Sequence, residues 1–212
     1  MNKTSKMSRA AVVALGGWVL IAQGAASVSA GEEAPRCRGR AATIVGTGSG
    51  ETLSGTPNPD VIVGRGGADF IDGRGGRDRI CGNGGNDGLL GEGDDDRIDG
   101  GPGRDYIEGG EGRDDLKGNG GYDKPQGDTD VNGGVYGGPG HDELSGGAGK
   151  DYVAAANGND FAKGGTNNDD IFGQGGDDGL DGGPGRDEIH GGPGIDTCTR
   201  GEQYFNCDTD AH

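Results

Sequence analysis

The sequence is poor in the side chains that build an ordinary hydrophobic core. Only 29% of its 212 residues are hydrophobic, 5% are aromatic, and there is one tryptophan. This composition, together with a formal charge of −17, is typical of chains that cannot fold by apolar burial alone. The strong acidity argues against nucleic acid and anionic membranes as partners and favours cations.

Long hydrophobic runs are missing outside the N-terminus. A basic stretch at residues 1–9 precedes an apolar run at residues 10–22, and Val28-Ser29-Ala30 provides a small-residue cleavage site. The run is shorter than the roughly 20 residues that span a bilayer, which disfavours the alternative of a membrane anchor. The sequence therefore predicts a signal peptide over residues 1–30, secretion to the extracellular space and no membrane span.

Motifs of catalytic sites are also missing. Neither G-x-S-x-G nor H-E-x-x-H occurs. The three histidines, His141, His190 and His212, share no spacing with cysteines or carboxylates that suggests zinc binding or catalysis. We therefore expect a protein that is not an enzyme.

Glycine is abundant, at 53 residues, and it recurs with a fixed period. Steps of nine from Gly46 give nine units ending at Gln126, and steps of nine from Gly137 give seven more ending at Thr199. The sixth position is acidic in all sixteen units, the first is Gly in fifteen, and the eighth is Ile, Leu or Val in thirteen. No generic glycine-rich linker keeps such a phase, so the repeat defines the fold.

Each unit predicts a turn followed by a short strand. The first five positions, rich in Gly, Asn and Pro, suit a tight turn with positive φ, and the last three suit a strand with one inward aliphatic side chain. Two units close a coil of eighteen residues. Units beginning at 46, 64, 82, 100 and 118 should form one sheet, and units beginning at 55, 73, 91 and 109 the other. The prediction is an all-β fold, a parallel β-roll or two-sheet β-solenoid.

Stacking such coils brings sixth-position carboxylates into rows. Strands about 4.8 Å apart place neighbouring carboxylates about 5 Å apart, where a pair repels by roughly 0.8 kcal/mol even in bulk water. The few aliphatic side chains cannot offset this repulsion and the entropy of ordering the chain, so a cation must be part of the fold. Carboxylate and carbonyl oxygens favour calcium over magnesium, because calcium accepts irregular oxygen cages.

The units, such as GGPGRDYIE at 100–108 and GGPGRDEIH at 182–190, follow the pattern G-G-x-G-x-D-x-U-x. This pattern resembles the RTX (hemolysin-type) calcium-binding nonapeptide repeat. The resemblance implies a calcium-dependent β-roll in which turn carbonyls and aspartates eighteen residues apart hold several Ca²⁺ ions. Carried over by position, the ligands are Asp60, Asp69, Asp78, Asp87, Asp96, Asp105, Asp114, Asp123, Asp142, Asp151, Asp160, Asp169, Asp178, Asp187 and Asp196.

The chain departs from the family pattern in several respects. Many RTX proteins use an uncleaved C-terminal export signal and carry a catalytic or pore-forming domain, and neither is recognisable here. Pro125, Ala162 and Cys198 replace the eighth-position aliphatic residue, which puts calcium sites at those units in doubt.

The repeats divide the chain into six segments. We expect a signal peptide at 1–30, an N-terminal cap at 31–45, a first repeat block at 46–126, an irregular insertion at 127–136, a second block at 137–199, and a C-terminal cap and tail at 200–212. Within the insertion, Asp128–Gly133 matches the start of an EF-hand loop, D-x-D-x-N-G. It is either a separate calcium loop or a polar turn that absorbs a slip in the repeat.

Four cysteines in an exported chain suggest two disulfides, with three possible connectivities. Cys198 occupies an inward eighth position, and Cys207 follows nine residues later, so the two can bridge the core if the register continues. Cys37 then pairs with Cys81 by elimination. Strict register separates these two residues, so the second pairing requires an irregular cap near Cys37.

The predicted function is that of a secreted calcium-binding protein, a non-catalytic extracellular structural or interaction module. The alternative is an accessory or relic module of a secreted hydrolase. The partner besides calcium, protein or carbohydrate, stays open. Phe70, Tyr106, Tyr152 and Phe161 at the seventh position are either scattered aromatics on the outer faces or a carbohydrate-binding stripe.

Overall fold

The computed structural model describes residues 34–120 and 134–211. The predicted signal peptide, the predicted ligand Asp123, the EF-hand-like segment Asp128–Gly133 and His212 lie outside these residues. Within them the regular structure is β-strand, and no helix is long and apolar enough to cross a membrane.

Twenty-one short strands follow one another along the chain. In order they are β1 Arg36–Cys37, β2 Arg40–Ala41, β3 Ile44–Val45, β4 Thr52–Ser54, β5 Val61–Gly66, β6 Phe70–Asp72, β7 Arg79–Gly84, β8 Gly88–Gly93, β9 Arg97–Pro102, β10 Tyr106–Glu111, β11 Asp115–Gly120, β12 Gly134–Tyr136, β13 Glu143–Ala148, β14 Tyr152–Asn157, β15 Phe161–Thr166, β16 Asp170–Gly175, β17 Gly179–Asp181, β18 Glu188–His190, β19 Thr197–Thr199, β20 Gln203–Phe205 and β21 Thr209–Ala211.

From β3 onward the strands alternate between two parallel sheets. The even-numbered strands β4–β20 form a nine-stranded sheet and the odd-numbered strands β3–β21 form a ten-stranded sheet. Neighbours in a sheet are eighteen residues apart through most of the chain, as in the pairing of Ile62 with Ile80 and of Ile171 with Ile189. The predicted two-sheet parallel β-roll, with alternate units in alternate sheets, is confirmed.

The turns explain the glycine columns of the repeat. The second position of the units lies in the left-handed region whether it is Gly101 (φ 105°), Asn83 (φ 69°) or Ala156 (φ 85°). Glycine and asparagine accept this conformation at lowest cost. At the fourth position glycine is needed for space as well, since a Cβ on Gly85 would overlap the Gly67 carbonyl of the preceding coil.

The core is a single column of eighth-position side chains between the sheets. It runs from Leu53 through residues such as Ile98 and Leu144 to Ile189 and Cys198, and each is almost fully buried. Ala162 and Cys198, which replace the expected aliphatic residue, occupy the same inward positions with no solvent exposure. One inward side chain per unit makes a narrow core, so other interactions must hold the coils together.

The register shifts at the insertion. Ile107 of β10 pairs with Val135 of β12, and Val135 pairs in turn with Val153 of β14. The place next to β10 is therefore taken by Gly134–Tyr136, which the repeat alignment had assigned to the irregular insertion. Val135 is fully buried in the core column although it lies outside the nine-residue phase.

The N-terminal cap lies on the outer face of the ten-stranded sheet. β1 and β2 form an antiparallel hairpin, and the Cys37–Cys81 disulfide, with a Cα–Cα distance of 5.6 Å, joins it to β7. Cys37, Cys81 and Val63 form a second small apolar cluster there. The predicted pairing is confirmed, and the irregular cap that it required is this hairpin.

The C-terminal end leaves the nine-residue register. The predicted Cys198–Cys207 disulfide is present, with a Cα–Cα distance of 5.9 Å. The nine-residue register does not continue to Cys207, because Tyr204 pairs with Ile189 and Cys207 lies in the turn between β20 and β21. The last coil is shorter than eighteen residues, and this shortening brings Cys207 to Cys198.

The aromatic residues are more organised than the repeat suggested. Phe70 and Phe161 are separately exposed. Six rings on the outer face of the nine-stranded sheet, however, form one continuous aromatic column with centroid distances of 4.5–5.7 Å: Tyr106, Tyr136, Tyr152, Phe172, His190 and Phe205. The pairs from Tyr106 to Phe172 are tilted by 33–42°, whereas Phe172, His190 and Phe205 are stacked nearly parallel.

Candidate metal centre: two rows of buried aspartates

The sixth-position aspartates form one row beside each sheet. The first aspartate row precedes strands of the ten-stranded sheet and contains Asp60, Asp78, Asp96, Asp114, Asp142, Asp160, Asp178 and Asp196. The second aspartate row precedes strands of the nine-stranded sheet and contains Asp69, Asp87, Asp105, Asp151, Asp169 and Asp187. All fourteen carboxylates are buried, with at most 9% of each residue exposed.

One oxygen of nearly every carboxylate is held by the backbone. Asp96 Oδ1 accepts a hydrogen bond from the N–H of Asp78 at 2.8 Å, and Asp114 Oδ1 accepts one from the N–H of Asp96 at 2.8 Å. The same bond recurs along both rows, for example from the N–H of Asp69 to Asp87 Oδ1. These bonds fix each side chain in one orientation, with its second oxygen directed into the turn.

The second oxygen, Oδ2, is buried without a hydrogen-bond partner in most of these aspartates. In ten of the aspartates Oδ2 is inaccessible to solvent and has no hydrogen-bond partner: Asp69, Asp78, Asp87, Asp96, Asp114, Asp142, Asp160, Asp169, Asp178 and Asp187. A buried carboxylate oxygen without a partner carries a large desolvation cost. A repeated cost of this kind indicates a ligand that the oxygens are arranged to bind.

Backbone carbonyls lie beside these oxygens. A Cβ built on first-position Gly73 would lie 2.6 Å from Asp78 Oδ2 and 3.1 Å from the carbonyl oxygen of Gly91, one coil further on. Glycine at the first position therefore keeps open a space bordered by one carboxylate oxygen and one carbonyl oxygen. A methyl group there would fill it.

The electrostatics of the rows favour neutralisation. The pKa of Asp96 is raised to about 8, mainly by burial and also by the charges of Asp114 and Asp78. The hydrogen bond from the Asp78 backbone opposes this rise. Burial likewise raises the pKa of Asp78 and of Asp169 to about 7. Near neutral pH these groups need a proton or a cation as a counter-charge.

The first coil differs from the others. Thr56 donates from its backbone N–H at 2.8 Å and from its hydroxyl at 2.9 Å to Asp60 Oδ2, and the Thr43 hydroxyl donates to Asp60 Oδ1 at 3.1 Å. In the preceding unit Thr47 donates in the same way to both oxygens of Glu51. Threonine at the second position thus supplies the hydrogen-bond donors that the buried Oδ2 atoms of later units lack.

These features define what the rows can bind. Within the described residues no three His, Cys, Asp or Glu side chains converge on one point. A bound ion would therefore be held by aspartates of neighbouring coils together with turn carbonyls, an all-oxygen set that suits a hard cation. The buried Oδ2 atoms and the open glycine spaces fit calcium, which accepts such mixed and irregular oxygen ligands.

Some of this site was not found from the sequence. The threonine donors could not be predicted, because the second position of the repeat accepts many residue types and Thr47 and Thr56 show no spacing that indicates a hydrogen bond. The eighteen-residue spacing of Phe172 and His190 was a signal of the aromatic column. The nine-residue phase did not indicate that Val135 would pair with Ile107.

The raised pKa values predict how the metal-free protein responds to pH. Aspartates of an unfolded chain titrate near 3.9, so the folded roll binds protons more tightly than the unfolded chain does. The stability of the metal-free roll should therefore increase as pH falls from about 8 towards 5.5, and it should be lost again as pH rises through the folded-state pKa values. Circular dichroism of metal-stripped protein should show more β-structure at pH 5.5 than at pH 8. Equal spectra at both pH values would contradict the assignment of these shifts to the folded state.

Comparison with known protein families agrees with this geometry. The family model for the RTX calcium-binding nonapeptide repeat matches four times, at residues 45–89, 90–125, 135–162 and 163–198, which leaves residues 126–134 unmatched. No curated protein and no solved structure matches the chain. The matched residues make up more than half of the chain and contain all of the aspartates above, and repeats of this kind bind several Ca²⁺ ions. The chain belongs to the RTX calcium-binding nonapeptide repeat family.

Proposed function

We propose that this chain is a secreted, non-catalytic module that becomes a stiff β-roll when calcium binds between its coils. The observation that carries the proposal is the pair of buried aspartate rows, in which ten Oδ2 atoms have neither solvent nor a hydrogen-bond partner. A narrow core and a large negative charge leave the metal-free roll weakly stabilised, and bound calcium offsets both.

Each calcium ion would be shared by two aspartates of one row. Asp78 and Asp96 are eighteen residues apart, and the backbone N–H of Asp78 donates to the side-chain Oδ1 of Asp96. A cation beside the Oδ2 of one aspartate therefore lies close to the next coil. Carbonyl oxygens such as that of Gly91 complete the ligand set. Bound calcium supplies the positive charge that the rows lack.

Two members of the pattern would not be full calcium ligands. Asp60 was predicted as a ligand from its position, but both of its oxygens already accept hydrogen bonds from Thr43 and Thr56. Glu51 is satisfied by Thr47. We infer that the first coil, tied to the N-terminal hairpin through the Cys37–Cys81 disulfide, is a cap that holds its shape without metal.

The spacing of the second row changes at the insertion. Asp105 and Asp151 each lie two residues before a core position, Ile107 and Val153, and the core position between these is Val135. The residue two before Val135 in the sequence is Gly133, so the pattern provides no aspartate at this position. The first row continues across the insertion, where the N–H of Asp114 donates to Asp142 Oδ1.

Secretion is supported by the N-terminal pattern and by the covalent structure. The two disulfides suit an oxidising compartment, and extracellular calcium suits modules of modest affinity, with dissociation constants on the order of 10⁻⁴–10⁻³ M. The family match covers repeats alone and gives no support to the hydrolase-accessory alternative.

Export should leave a defined N-terminus. Cleavage after Ala30 gives a secreted chain that begins at Gly31, which mass spectrometry of protein from the culture medium would show. Ala30→Arg removes the small residue that the signal peptidase requires and should reduce the processed form. Protein in the culture medium that still carries residues 1–30 would contradict this part of the proposal.

Removal of one charged ligand tests the metal centre. Asp96→Asn keeps the Oδ1 acceptor but removes the charge from an aspartate shared by two sites, so native mass spectrometry should show about two fewer calcium ions. Asp60→Asn is the matched control in the same row, and its calcium count should stay unchanged. The same loss in both variants would refute the separate role of the first coil.

The coil geometry predicts which aspartates are coupled. Asp78→Asn and Asp96→Asn remove ligands of one shared site, so the double variant should cost about 1 kcal/mol less in unfolding free energy than the sum of the single variants. Asp87→Asn with Asp96→Asn spans the two rows and should be additive within about 0.5 kcal/mol. Urea unfolding at fixed calcium concentration measures both cycles. Stronger coupling between residues nine apart than between residues eighteen apart would exclude calcium sharing within a row.

A further inference from the structure

The outer face of the ten-stranded sheet carries a concentration of positive charge that the acidic chain as a whole does not lead one to expect. A groove of about 720 Å³ beside the first aspartate row is lined by five guanidinium groups, which we call the arginine groove: Arg40, Arg77, Arg79, Arg97 and Arg113. Arg40 comes from the N-terminal hairpin, and the others come from two turns and from the first residues of β7 and β9.

These guanidinium groups are only partly neutralised. Arg77 pairs with Asp95 at 2.8 Å, and Arg97 is 3.9 Å from Asp115, which is already bound by Arg38 at 2.6 Å. Arg79 donates to the backbone carbonyl of Arg38 at 3.1 Å.

The pKa of Arg79 reflects the crowding of like charges. Burial lowers this pKa, and so do the neighbouring charges of Arg97, Arg40 and Arg38. Positive charges have thus been gathered on this face, and the hairpin that the Cys37–Cys81 disulfide anchors contributes to them.

The charge balance of the groove depends on the calcium row beneath it. Besides the five arginines, six carboxylates line it, three on the outer surface and three in the first aspartate row: Asp95, Asp115 and Glu143, then Asp78, Asp96 and Asp114. With the row ionised and metal-free, the six carboxylates outnumber the five guanidinium groups, and either a bound cation or protons on the row can remove this excess. With the row neutralised by calcium, five guanidinium groups face three carboxylates and the groove is positive.

We propose that calcium loading turns the arginine groove into a binding site for a sulfated polysaccharide. The inference rests on the proposed function, because calcium in the first row is what reverses the sign of the groove. Guanidinium groups bind oxyanions through paired charge-assisted hydrogen bonds, and several of them along a groove suit a polymer with repeated sulfate esters. A sulfate ester is also compatible with the calcium-rich medium that the roll requires, since it competes weakly with carboxylates for the ion.

The test uses fluorescent dextran sulfate and the mature chain. In calcium the protein should bind this polymer, binding should weaken as salt screens the charges, and uncharged dextran should not bind. Arg79→Ala combined with Arg97→Ala should weaken binding by about tenfold or more, because each lost guanidinium removes a charge-assisted contact. The matched control is Arg186→Ala, which removes an exposed fifth-position arginine that does not line the groove.

Circular dichroism on the same samples separates the two proposals. A roll that forms in calcium but does not bind dextran sulfate would overturn this inference and leave calcium binding intact. A circular dichroism spectrum that does not change when calcium is added would overturn the proposed function itself. Binding that is undiminished in the double arginine variant would also refute the site, since calcium ions bridging sulfate to surface carboxylates would then explain it. Equal affinity for polyphosphate at the same groove would overturn the choice of sulfate.

Discussion

Repulsion between buried carboxylates of like charge is the constraint on which the rest of this molecule depends. Along each row an aspartate neighbours the aspartate of the adjacent coil, and in most of them a backbone N–H donates to Oδ1 while Oδ2 is directed into a closed turn. The glycines, the left-handed turns and the single inward aliphatic residue per unit all serve this stacking. Because apolar burial is small, the free energy of the fold comes to depend on the ion that neutralises the rows.

The ends of the roll are held by additional covalent and hydrogen-bonded contacts. At the N-terminus, threonine donors satisfy the first carboxylates and a disulfide joins the hairpin to β7. At the C-terminus the register shortens, a second disulfide closes the last turn, and Asp208 Oδ2 accepts the N–H of Asp196. A solenoid of repeats needs such atypical ends, because its terminal coils lack a neighbour on one side.

The repeat was sufficient to predict the sheets, the inward column and calcium as the ligand, because each depends on a side chain recurring in a fixed phase. The two disulfides were predicted from the number of cysteines and the short separation of Cys198 and Cys207. The repeat was insufficient wherever the phase breaks. Val135 lies in the core although the alignment had excluded it, and Tyr204 takes the inward place that a continued register would give to Cys207. The role of Asp60 could not be predicted either, since it depends on donors from Thr43 and Thr56 that the family pattern does not contain.

The aromatic column has a consequence for the mechanical continuity of the rod. Tyr106, Tyr136 and Tyr152 pack on one another across β10, β12 and β14, the strands at which the insertion shifts the register. The column then continues through Phe172 and His190 to Phe205 near the C-terminal end. Ring packing needs no metal, so these contacts join the two repeat blocks independently of any bound ion. Tension along the axis therefore has a path from one repeat block to the next that does not run through the ion sites.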